Sequence, residues 1–109
     1  MKGGHVKSGD RINLEHLRDD MESDATYALV KTSCMEVIRM ALPHGKSVEE
    51  HTVGGEMSIQ CLKGHIYFNI DGRAQELTKN DWLFLNKDQP FSYSVRSDTI
   101  LLVTILFTE

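Results

Sequence analysis

The chain has 109 residues, a formal charge of −4 and 26% charged residues. That length holds one core without a structural metal or disulfides. The charge is spread over both signs, with no Lys/Arg run to neutralise a row of phosphates, and no stretch approaches the ~18 apolar residues of a membrane span, which argues against nucleic acid and membrane as partners.

Met1-Lys2-Gly3-Gly4-His5 leads into polar sequence and not into the apolar core of a secretion signal. The expected location is the cytoplasm. In that reducing compartment Cys34 and Cys61 are expected to stay unpaired and to behave as small core hydrophobes. Leu14, Leu17 and Met21 recur at helical spacing, with Asp10 or Asn13 as N-cap. Residues 1–26 therefore read as an N-terminal arm with a short helix, and the acidic stretch Glu15 to Asp24 as a solvated face.

From Tyr27 the punctuation changes to short apolar or alternating runs broken by turn residues, and 27–109 reads as one β-domain. The predicted strands are 27–32, 35–42, 47–52, 56–62, 65–70, 73–77, 81–85, 91–96 and 99–107. Lys63-Gly64, Asp71-Gly72 and Ser97-Asp98 are among the expected turns. Asp71-Gly72, between Tyr67-Phe68-Asn69-Ile70 and Ala74-Gln75-Glu76-Leu77, predicts a two-residue hairpin. No later run has capped helical periodicity, so crossover helices are absent and the strands pair antiparallel: the class is all-β. The last run, Thr99 to Phe107, is apolar on both faces, although an antiparallel strand with one wet side would alternate. A second copy of the chain is the simplest cover, so a homodimer is expected.

Gly45 is followed by five residues and then His51, and Gly64 closes the segment; further on, Asn80-Asp81 leads through Trp82 to Leu85 to a turn and Pro90-Phe91. This spacing resembles the two short motifs of the cupin superfamily, the small single-domain members in particular. The resemblance implies an antiparallel double-stranded β-helix, the jelly-roll or cupin barrel. In that family two His, a Glu and a last His bind Fe, Mn, Ni or Zn. On the matching positions this chain has His51, Val53, Met57 and Phe91, so the metal motif is degenerate.

A divalent site needs about three converging donors. A lone imidazole does not supply them, so no cofactor is expected. The alternative is one divalent transition metal held by His51, with Glu49, which shares its parity along a period-2 strand, and His44. The expected ligand pocket is His51, Val53, Met57, Ile59, Phe91 and Tyr93, with Tyr93 two residues beyond Phe91 on the same face. His44 and His65 read as solvated. Gln60 lies out of phase with Met57 and Ile59 and is assigned to sheet packing or an interface, and Trp82 with Phe84 to a core or dimer contact. The function that follows is metal-free binding of a small, largely apolar molecule. The alternatives are a metal-dependent cupin enzyme of dioxygenase or isomerase type, and a structural or regulatory dimer module.

Overall fold

The computed structural model describes residues 6–19 and 26–107. One short helix, α1 (Leu14–Asp19), precedes seven strands: β1 (Tyr27–Lys31), β2 (Met35–Leu42), β3 (Ser47–His51), β4 (Glu56–Ile70), β5 (Arg73–Leu77), β6 (Trp82–Leu85) and β7 (Phe91–Leu106). Every strand pairing is antiparallel.

The long strands β4 and β7 organise the molecule. The first part of β4 pairs with β6 and with the second part of β7; the rest pairs with β5 and with the first part of β7. β2, flanked by β1, joins the second part of β7, and β3 joins the first. Two layers result, β1-β2-β7-β4-β6 and β3-β7-β4-β5, sharing their central strands and folded over one apolar interior. This is the double-stranded β-helix expected from the sequence.

Two expected turns are instead bends inside continuous strands. The chain stays extended through Lys63-Gly64 and through Ser97-Asp98, so 56–62 with 65–70 form β4, and 91–96 with 99–107 form β7. Register shifts between Cys61 and Ile66 take up the unmatched residues as bulges, which turn both strands from one layer into the other. Gly64 permits the bend: its φ is +102°, and a Cβ there would strike Thr99 Oγ1 and lie 2.5 Å from the Asp98 carbonyl. Thr99, almost fully buried, pins the opposite side, its Oγ1 accepting from His65 N at 3.1 Å and donating to the Ser97 carbonyl at 2.8 Å. Asp71-Gly72 does form the hairpin, with φ of 52° and 80° and Ile70 paired to Arg73; positive φ at both positions is the signature of a type I′ turn.

The N-terminal arm lies on the outer face of the first layer. Asn13 caps α1, its Oδ1 accepting from Glu15 N at 2.8 Å. Met21 and the acidic residues beyond Asp19 fall outside the described residues. Leu17 buries with Leu29 and Leu62, and this cluster packs on Ile100 and Leu102. Arg39, 1% exposed, donates from Nε to the Leu17 carbonyl at 2.9 Å, with its guanidinium 5.5 Å from the Tyr27 ring centre. The expectation that a second copy covers the outer face of β7 is thus corrected over Ile100 and Leu102, where the chain's own arm is the cover.

Three smaller expectations also change. Trp82 and Phe84 are 61% and 46% exposed, because Leu83 and Leu85 are the inward members of β6; neither aromatic is a core contact. Cys61 is buried and unpaired as expected, but Cys34 is exposed. His65 is half-buried and held, its Nε2 lying 2.5 Å from Glu76 Oε2. No helix among the described residues is long and apolar enough to cross a membrane.

Candidate functional site

The interior divides along its length. Near the bend, Leu42, Cys61, Ile66, Leu77 and Val95 pack shut. Burial there pushes the Cys61 thiol above its ordinary value, and its Sγ donates to the Lys63 carbonyl at 3.4 Å. Away from the bend the layers stand apart around a cavity of about 350 Å³, toward the lower end of the range typical of ligand pockets.

Every expected pocket residue lies on this lining: Met57, Ile59, Phe91 and Tyr93 by the period-2 alternation of β4 and β7, His51 at the end of β3 beyond a bulge, and Val53 in the loop that follows. Met57, Ile59 and Phe91 are buried, Val53 and Tyr93 half-buried, and His51 exposed at the mouth. Phe91 pairs with His51 across the β3–β7 ladder, and their rings meet edge to face at 5.7 Å. The remaining lining comes from Val48, Phe68, and the inward residues of β2 and the second part of β7, such as Met40 and Val103. Phe68 has a signal in the sequence, since it shares parity with Ile66 on an alternating strand. The inward residues of β7 have none, because that run is apolar at both parities.

Among the described residues only His51 and Tyr93 bring side-chain nitrogen or oxygen to the lining. Burial raises the Tyr93 phenol above its ordinary value, so its hydroxyl stays protonated and able to donate at neutral pH. Among the described residues neither side chain is engaged in a hydrogen bond.

The metal-ligating alternative fares differently. β3 carries one extra residue against β7: Val48 pairs with Tyr93 and His51 with Phe91, three steps on one strand against two on the other. The bulge breaks the parity on which Glu49 was matched to His51. Val48 shares the cavity lining with His51, while Glu49 lies off that lining, in an adjoining open cleft with Asp71 and Ser92 that meets the cavity at Val48, Phe91 and Tyr93. His44 belongs to the opposite turn, where its backbone N–H donates to Asp98 Oδ1 at 2.9 Å. No group of three or more His, Cys, Asp or Glu able to hold an ion occurs among the described residues. One imidazole, one phenol, two thioethers and hydrocarbon do not fit the donor set of a divalent transition metal.

Gln60 sits on the outer face beside Leu14 and Lys79, away from the cavity. Trp82 pairs with it across the β4–β6 ladder.

Residues 39–107 match the model of the family described as AraC-like ligand binding domain. No curated protein matches the chain. Among solved structures, a conserved protein of unknown function from Streptococcus pyogenes is similar with a TM-score of 0.76 at 14% identity, over 97% of this chain and 94% of that one. A cupin superfamily protein from Desulfitobacterium hafniense gives 0.73 at 18% identity, covering 77% of each chain. An RmlC-like cupin from Shewanella frigidimarina gives 0.71 at 17%, over 77% of this chain and 76% of that one. At such identities the likeness shows the fold, which is a cupin barrel.

Proposed function

Because this chain belongs to the AraC-like ligand-binding domain family, we propose that its barrel is a metal-free receptor for a small, largely apolar molecule held behind His51. The observation that carries the reading is the cavity of about 350 Å³ whose lining holds just two side chains with nitrogen or oxygen. An apolar concavity with few oriented polar groups suits a small ligand. A sugar or a nucleotide would leave most of its hydroxyls or phosphates unpaired there, at a large desolvation cost.

A thermal-melting screen over small aromatics, fatty acids and sugar derivatives tests the proposal. A ligand present at about 100 times its Kd stabilises the fold by roughly 2.7 kcal/mol when only the folded state binds. For a domain of this size that amounts to a rise in Tm of roughly 10 °C or more. A flat response across the whole library overturns the reading. Elemental analysis of protein purified without chelators tests the metal-free part, and stoichiometric Fe, Mn, Ni or Zn lost in His51→Ala would replace it with a metal-dependent enzyme.

The same reading takes the working unit to be a homodimer in the cytoplasm, where Cys34 and Cys61 stay reduced. Its support is the outer face beyond the reach of the arm, where Trp82, Phe84 and Leu106 are exposed beside the uncharged Ser58 and Thr104. Sedimentation equilibrium of wild type and of Phe84→Glu checks it: dimer in the first and monomer in the second is the expected pair. A monomeric wild type removes this part and leaves the receptor standing.

A further inference from the structure

The two walls of the cavity differ in kind. On the side formed by β3, the first part of β7 and the second part of β4, four rings make a continuous arc. His51 stands 5.7 Å from Phe91, Phe91 6.0 Å from Phe68, and Phe68 5.5 Å from Tyr93, between centroids. The facing wall, from β2, the first part of β4 and the second part of β7, holds no ring; Met40, Met57, Ile59 and Val103 are typical of it. Both side chains with nitrogen or oxygen belong to the aromatic wall, and no Lys, Arg, Asp or Glu lines the cavity.

Each property selects for something. Rings gain more from another ring, offset or edge to face, than from a saturated surface of equal area. Thioethers opposite them favour the edge of an aromatic group in the same way. A lining without a formal countercharge disfavours a buried ion, because desolvation goes uncompensated. A cavity of this volume takes a molecule of one or two fused rings. The Tyr93 hydroxyl, which has no partner among the described residues, is the donor available to a ligand oxygen.

We propose that the cavity selects a neutral, planar aromatic molecule of one or two fused rings bearing one hydrogen-bonding oxygen, seated on the ring arc with that oxygen at Tyr93 and with His51 closing the mouth. This rests on the receptor reading above and specifies its ligand.

Isothermal titration of the full chain at neutral pH with four probes tests it: 2-naphthol, decahydro-2-naphthol, naphthalene and 2-naphthoate. The first two share a skeleton and differ in aromaticity. Saturable binding of 2-naphthol is expected, with the saturated analogue weaker by about tenfold and no detectable binding of the carboxylate. Tyr93→Phe should weaken 2-naphthol by about tenfold and leave naphthalene unchanged, since only the hydroxyl contact is lost. Should that variant not fold, Phe91→Leu tests the ring arc instead, and is expected to narrow the gap between 2-naphthol and its saturated analogue; an unchanged gap overturns the aromatic inference.

Equal or tighter binding of decahydro-2-naphthol or of 2-naphthoate overturns the aromatic inference while the receptor stands. Silence from all four probes also overturns it. The broad melting screen then separates the two claims: a hit of another class keeps the receptor, and a flat screen ends both.

Discussion

The two ends of the barrel interior are built from the same strands and are packed in opposite ways. Near the bend, Ile66 and Cys61 are completely buried, and Val95 and Leu77 close around them. At the other end the same alternation of inward side chains leaves a void edged by His51, Val53 and Tyr93. An interior side chain is stabilising in proportion to the atoms it touches, so one strand carries both the packed core and the cavity lining, separated by a few residues.

That contrast can be broken most directly by truncation. Ile66→Ala, at the packed end, should cost about 2–5 kcal/mol in denaturant unfolding. Loss of the Arg39 contact comes next: Arg39→Met removes the bond to the Leu17 carbonyl and should cost about 1.5–3 kcal/mol, with faster proteolytic cleavage of the arm. Met57→Ala, at the open end, should cost less than Ile66→Ala, under about 2 kcal/mol, because part of the Met57 surface already faces the void. If Met57→Ala proves as costly as Ile66→Ala, the division into core and cavity fails. The smallest effect is on pH dependence. The Tyr93 phenol is raised in the folded state, so its contribution is intact below the unfolded value of about 10 and is lost as pH rises through the higher folded value. Tyr93→Phe should therefore flatten the alkaline fall in stability, as read from Tm against pH.

The hairpin at Asp71-Gly72 was legible because few residue pairs tolerate positive φ twice in succession. The cavity-lining positions of β4 and of the first part of β7 are legible because those segments keep period 2. Where the period slips, the reading slipped with it. Counting in twos matches Glu49 to His51, and a single extra residue in β3 takes it off the cavity lining. Lys63-Gly64 and Ser97-Asp98 read as turns, since residues that suit a turn also suit a bulge and only the partner strand decides between them. The arm's role was hidden for a different reason. The contacts of Leu17 with Leu29 and Leu62, and of Arg39 with the Leu17 carbonyl, join segments far apart in the chain, and no local pattern encodes them.

The central position of β7 has a kinetic consequence. It is the last of the described elements in chain order, yet it is the partner of β2, β3 and β4, and among the described residues β3 pairs with it alone. A refolding chain can form the local hairpin of β4 and β5 early, but the cavity does not exist until β7 has threaded between its neighbours. Topologies dominated by such distant pairings fold over roughly milliseconds to seconds. A small molecule that recognises the finished chamber finds nothing to grip on the way in, so its stabilisation belongs to the unfolding limb of the chevron, slowing escape from the native state and leaving the refolding rate unchanged.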